Sequence, residues 1–115
     1  MPTIQRFGVG SRISQAVAYG QLVFLAAQIA DDTTQDVAGQ TRQVLAKIDS
    51  VLREAGSDKT KILKVDVWLA DIGDFDVMNR EWDKWVVKDY VPARVTVESR
   101  LVPSYLIEAT VVAVR

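Results

Sequence analysis

Apolar residues alternate with polar ones along some stretches of this chain and recur every third or fourth residue along others. The two periods separate strands from helices. Residues 16–28, Ala-Val-Ala-Tyr-Gly-Gln-Leu-Val-Phe-Leu-Ala-Ala-Gln, predict two short strands around a turn at Gly20-Gln21. Helical spacing follows. Val37, Thr41, Val44, Leu45, Ile48, Val51, Leu52 and Ala55 share one stripe, and Gly56 is placed to end it. Thr33 and Asp36 have capping-box spacing at the start, with Asp a shorter reach than the usual Glu or Gln. Gly39, Gln43, Ala46, Ser50 and Arg53 lie opposite the stripe, flanked by Gln40, Arg42, Lys47, Asp49 and Glu54. That side is expected to face water.

Alternation returns at residues 62–69, with Leu63, Val65, Val67 and Leu69 on one face and Lys64, Asp66 and Trp68 on the other. A second helix is predicted after a cap at Asp71 or Asp74. Its apolar stripe is Phe75, Met78, Trp82 and Trp85, while Asp76, Arg80, Asp83 and Lys84 turn to water. Two strands close the pattern. Around 93–98, Val95 and Val97 oppose Arg94, Thr96 and Glu98; around 106–114, Ile107, Ala109, Val111 and Ala113 oppose Glu108, Thr110 and Val112. Val102-Pro103-Ser104 marks the turn between them. The order β-β-α-β-α-β-β, with a further short strand allowed at the N-terminus, describes one α+β domain over residues 1–115.

Two helices cover only one face of such a sheet. The apolar alternates Leu63, Val65, Val67, Val95, Val97, Ile107, Ala109 and Val111 are assigned to the covered face. The other face then carries Lys64, Asp66, Trp68, Arg94, Thr96, Glu98, Glu108 and Thr110. A solvated face and a partly polar subunit interface both fit this pattern. Trp68 and Val112 add apolar groups of the kind an interface covers.

Composition narrows the chemistry. The 115 residues are 49% hydrophobic and 25% charged, with neither Cys nor His. Disulfides, thiolate catalysis and the usual general base are excluded, and carboxylates are the only side-chain metal ligands left. No tightly bound transition metal and no cofactor are expected. The formal net charge of −1 offers no basic footprint for nucleic acid. No apolar run approaches the ~20 residues of a membrane helix, and the opening Met-Pro-Thr-Ile-Gln-Arg is no signal peptide. A cytoplasmic protein with no membrane or nucleic-acid partner is expected.

Pro92-Ala93-Arg94-Val95-Thr96-Val97-Glu98, followed by Leu101, Pro103 and Ile107-Glu108-Ala109, resembles the C-terminal signature of the Rid (reactive intermediate deaminase, YjgF-like) family. Asp74-Phe75-Asp76-Val77-Met78-Asn79 resembles its middle motif. Gln15, Gln28, Ala55-Gly56, Val65, Val67, Leu69 and Asp71 fall in matching order. The paired Trp82 and Trp85 look most like a YoaB-like branch. The resemblance runs from about Arg12 to Arg115. It implies a chorismate-mutase-like fold, with a mixed β-sheet carrying two helices on one face. It also implies a homotrimer with a central barrel and small-molecule clefts between subunits.

Arg94 matches the family's substrate-carboxylate arginine, and a guanidinium grips a carboxylate with two parallel hydrogen bonds. From the residues alone, a cross-strand ion pair with an acid such as Glu108 is the first reading. Glu108 matches the family's water-positioning acid, and its plain alternative is a polar residue on a wet strand. Asn79 matches a motif asparagine beside the substrate, with a helix-surface role as the alternative. Trp82 and Trp85 are read as core. The chain departs from deaminating members at three places. Ile13 stands where many have a cleft tyrosine, Ala26-Ala27 replaces Ser-Gly ahead of Gln28, and one residue is missing between Arg94 and Glu108. The substrate-binding set is thus Arg94, Asn79, Ile13 and Ala26, with Arg94 and Glu108 catalytic. The resemblance implies hydrolysis of 2-imino acids to 2-keto acids and ammonia. A non-catalytic module binding or sensing small carboxylates, and an endoribonuclease or translation inhibitor, are the alternatives.

Overall fold

The computed structural model describes residues 2–115. Its strands are β1 (Ile4–Val9), β2 (Ser14–Tyr19), β3 (Leu22–Gln28), β4 (Ile62–Leu69), β5 (Ala93–Glu98) and β6 (Ile107–Val114). Its helices are α1 (Val37–Glu54) and α2 (Phe75–Trp85). The further N-terminal strand is β1. All six strands join one mixed sheet in the order β1-β2-β3-β6-β4-β5. Every neighbouring pair is antiparallel except β4–β5, which runs parallel because α2 carries the chain back across the sheet.

Asp36 caps α1, its Oδ1 accepting the Gly39 N–H at 2.9 Å. The expected cap at Thr33 is displaced by three residues, because the shorter Asp side chain reaches a following amide rather than back to Thr33. At the other end Gly56 takes φ +84°, which a β-carbon disfavours, and the helix stops there. Val44, Ile48 and Leu52 are fully buried, in one core with Val23 and Leu25 of β3 and Ala109, Val111 and Ala113 of β6. Truncating a side chain such as Ile48 to alanine in a core of this kind costs about 2–5 kcal/mol.

Two positions expected in water, Gly39 and Gln40, are buried. Gln40 is fully buried: its Nε2 donates to the carbonyls of Ser104 at 2.9 Å and Gln35 at 3.1 Å, and its Oε1 accepts the Leu106 N–H at 2.9 Å. The helical pattern shows which side of α1 a residue occupies, and it does not show that the β5–β6 loop returns to cover that side. Glu81 of α2 is held by Arg42 of α1 at 3.1 Å and by Lys84 at 3.3 Å, while both oxygens of Asp49 accept from Trp85 Nε1. Arg42 and Asp49 therefore join the two helices.

Two strand assignments change. A register shift between Ile62 and Lys64 buries Ile62 and leaves Leu63 exposed. In β5 the phase is reversed. Val65 pairs with Arg94 and Val67 with Thr96, and residues opposite one another on neighbouring strands point to the same side. Arg94 and Thr96 thus face the helices, while Val95 and Val97 are 48% and 41% exposed on the open face. Glu98 also leaves the open face, its Oε1 accepting the Ile72 N–H at 3.0 Å. Alternation alone cannot fix the phase of a strand with one apolar and one amphipathic side, and the aliphatic stem of arginine covers apolar surface well. The open face is consequently more apolar than expected: Tyr19, Leu22, Phe24, Val95 and Val97 are all exposed on it.

Candidate functional site

Two shallow hollows contain the residues of interest, on opposite sides of the sheet. The first, about 390 Å³, is lined by Asn79, Trp82 and Asp83 of α2, Pro92, and Arg94. Asn79 and Asp83 are four residues apart, which places both on one side of the helix. Arg94 reaches up from edge strand β5 beneath them. Its guanidinium carbon lies over the Trp82 ring, 4.8 Å from the centroid, and 5.8 Å from that of Phe75. Nη1 approaches Met78 Sδ at 3.9 Å, a weak acceptor. Burial pushes the Arg94 pKa below its ordinary value, and the nearby Asp83 carboxylate opposes that shift.

The second hollow, about 270 Å³, opens on the uncovered face among Ala27, Trp68, Ser99, Arg100, Leu101, Glu108 and Thr110. Glu108 is half-buried on β6, directly across from Trp68 of β4.

The ion pairs among the described residues are Arg42–Glu81, Lys47–Asp31, Lys64–Asp66 and Lys84–Glu81. Neither Arg94 nor Glu108 takes part in one. The cross-strand pair between them is therefore not formed: β4 lies between β5 and β6, and the two side chains leave opposite faces of the sheet. A guanidinium without a carboxylate partner keeps its in-plane N–H groups available for a planar carboxylate from outside.

Arg94 and Asn79 thus come together, while Glu108 sits apart beside Ala27. Ile13 and Ala26 line neither hollow. Ile13 is exposed in the turn before β2, its carbonyl accepting the Gly10 N–H at 2.8 Å. Ala26 lies at a bulge in β3, and its carbonyl accepts from Gln28 Nε2 at 2.9 Å. The same Gln28 nitrogen donates to Gln15 Oε1 at 3.2 Å, so two of the residues that carried the resemblance bond to each other. Asp66 Oδ1 and Thr96 Oγ1 are buried with no hydrogen-bond partner among the described residues.

A family model described as Endoribonuclease L-PSP matches residues 3–115. The chain belongs to this family. Among its L-PSP relatives, the RutC family protein YoaB of Escherichia coli strain K12 is 38% identical over 112 residues, spanning 96% of this chain and 97% of its own length. The crystal structure of NMB1025 from Neisseria meningitidis, described as a member of the YjgF protein family, superposes with a TM-score of 0.94. It is 40% identical and covers 98% of this chain and 95% of its own. YyfA from Yersinia pestis, described as belonging to the Rid protein family, is 32% identical with a TM-score of 0.85, over 93% of this chain and 90% of its own. The resemblance read from Pro92–Glu98 and Ile107–Ala109 is thus family membership, with the fold that goes with it. Among the described residues, no helix of this L-PSP family chain is long and apolar enough to cross a membrane.

Two members of the first hollow escape the sequence reading. Asp83 is exposed to water as its place off the apolar stripe implies, and its helical spacing from Asn79 also sets it at the hollow. Trp82 was read as core, and it is buried; yet its ring also forms the wall against Arg94. Arg100 in the second hollow follows a strand end and carries no periodic signal.

Proposed function

We propose that this protein is an imine deaminase that hydrolyses 2-imino acids to 2-keto acids and ammonia in the cytoplasm. The observation that carries the reading is Arg94: a half-buried guanidinium, in no ion pair among the described residues, at the mouth of a small hollow beside Asn79. It would hold the substrate carboxylate by two parallel hydrogen bonds. Water adds to the C=N carbon, the nitrogen takes up protons, and ammonia leaves as the carbonyl forms. Glu108 would orient that water and accept its proton. No cofactor enters this scheme. Such imines hydrolyse unaided, so positioning accounts for the acceleration required.

Arg94 and Glu108 act on one substrate only if two copies meet. The reading therefore includes a homotrimer, in which the β5 side of one subunit approaches the open sheet face of the next and three clefts form between them. The exposed Phe24, Val95 and Val97, and the unpartnered Asp66 carboxylate oxygen on the same face, support this assembly.

The test is ammonia release from freshly generated 2-imino acids. Arg94→Lys keeps the charge and loses the fork, so affinity for 2-keto acids should fall about ten- to a hundredfold, on the order of 1.5–3 kcal/mol. Glu108→Gln should spare that binding and depress turnover. Full activity in Arg94→Lys, or loss only through unfolding, refutes the anchor.

A second reading has its own support. Ile13 and Ala26 bring no hydroxyl to the site, which favours a module that binds small carboxylates without hydrolysing imines. Saturable 2-keto-acid binding without accelerated ammonia release would establish it. An endoribonuclease activity, as the family model's description has it, is tested by incubating the purified protein with RNA.

A further inference from the structure

The reading of Arg94 as carboxylate anchor leaves a physical question open: what holds the guanidinium still. Anchoring arginines are commonly oriented by an acid, but an acid occupies the same in-plane N–H groups the ligand needs. Here no acid does so: the contacts are the Trp82 ring, the more distant Phe75 ring at 5.8 Å and one weak Nη1–H donation to Met78 Sδ. Trp82 lies 4.8 Å from the guanidinium carbon, inside the ~6 Å range of a cation–π contact, and Met78 Sδ is 3.9 Å from Nη1. A ring face holds a cation without consuming a hydrogen bond. Trp82 is itself fixed. Its ring stands 5.3 Å from that of Trp85 at a tilt of 56°. Trp85 Nε1 donates to both oxygens of Asp49, at 3.1 and 3.0 Å, and Lys59 Nζ donates to the Trp85 carbonyl at 2.7 Å. A continuous chain of contacts runs from α1, through Trp85 and Trp82, to Arg94.

We propose that Trp82 is a positioning residue for the carboxylate anchor, its indole seating the Arg94 guanidinium while Trp85 and Asp49 hold that indole in place. The proposal rests on the reading of Arg94 given above. It separates Trp82 from an ordinary core tryptophan, for which volume alone matters.

The experiment compares Trp82→Phe with Trp82→Leu in the full-length protein. Both lose volume, but only phenylalanine keeps a π face. Three quantities are read: the dissociation constant of 2-oxobutanoate by calorimetry, the ordering and ring-current shift of the Arg94 Nε–H signal by NMR, and Tm. Trp82→Phe should stay within about threefold of wild type, and Trp82→Leu should bind about five- to thirtyfold more weakly. The Arg94 signal should be ordered and shifted upfield in wild type, and more mobile and less shifted in Trp82→Leu, where only the Phe75 ring at 5.8 Å remains, with similar losses of Tm in both variants. Equal binding by the two variants, or affinity that tracks Tm, overturns the proposal. If wild type does not bind 2-oxobutanoate, the anchor reading fails by itself. The seat is then decided by the NMR signal alone: an ordered Arg94 that loosens in Trp82→Leu sustains it, and one indifferent to the substitution overturns it. Should Trp82→Leu not fold, Trp85→Phe removes the bond to Asp49 and keeps the ring. A loosened Arg94 signal there supports the proposal, and an unchanged one refutes it.

Discussion

Gln40→Met removes the side chain that pins the β5–β6 loop to α1, while keeping nearly the same shape. Three strong contacts disappear: those to Ser104 O and Leu106 N, both at 2.9 Å, and to Gln35 O at 3.1 Å. The site is fully buried, so water cannot replace them without opening the loop. Each buried backbone group left without a partner costs about 1–3 kcal/mol. The Leu106 N–H and the Ser104 carbonyl are the two most affected, and added apolar burial by methionine returns part of the loss. The expected destabilisation is about 3 kcal/mol, or on the order of 10 °C in Tm for a chain of this size. The assay is thermal unfolding by circular dichroism at one fixed protein concentration, since any assembly makes Tm concentration-dependent. Hydrogen exchange of the Leu106 amide gives a local readout and should accelerate. Gln43→Met is the control. Its side chain bonds the Asp32 backbone at an exposed site, where water substitutes for it, and the loss should stay below about 1 kcal/mol. If Gln40→Met costs no more than Gln43→Met, the buried strut is not an energetic feature of the fold.

The Glu81 carboxyl is held below its ordinary pKa of 4.5, first by the hydrogen bond from Arg42. Its contribution is therefore complete above pH 4.5 and is lost as pH falls through the lowered value. The Tm difference between wild type and Glu81→Gln should shrink on acidification through that range, and a pH-independent difference would refute the assignment. Gly56→Ala forces a side chain into φ +84° and should cost about 1–2 kcal/mol in urea unfolding, with no cost counting against the strain. Phe24→Asp places a charge on the open sheet face, where Phe24 is 44% exposed. Light scattering should report a monomer that keeps its far-ultraviolet spectrum, and an unchanged oligomer mass would show that this face is free.

Element order and the core were legible because helical and strand periods are local properties of the chain. The stripe from Val37 to Ala55 and the alternation in β6 lie as expected. What was not legible depends on which element comes back to cover which. Gln40 reads as surface until the β5–β6 loop lies over it, while Arg42 stays exposed even as it and Asp49 bond the docked α2. The phase of β5 is the costliest case for the site. Val95 and Val97 are better core residues than Arg94 and Thr96 by composition, yet the parallel register with Val65 and Val67 decides otherwise. The motif brought Arg94 and Asn79 to notice, and the two line one hollow. It said nothing of the separation of Arg94 from Glu108, because that follows from the insertion of β4 between their strands.

The place of β6 in the sheet bears on how the chain is made. β6 is the last of the six strands to be synthesised, and it lies between β3 and β4, so no strand pairing joins β1–β3 to β4–β5 without it. A nascent chain that has emerged only as far as Leu106 therefore holds two half-sheets, each with an unpaired inner edge. It also lacks Ile107, Ala109 and Val111 from the shared core. At about 5–20 residues per second, translation leaves those edges open for several seconds, a period in which unpaired strands invite pairing with other chains. The sheet closes only once β6 has been made. A chain cut before Ile107 should lack the strand that completes this sheet, and its far-ultraviolet circular dichroism should show the loss.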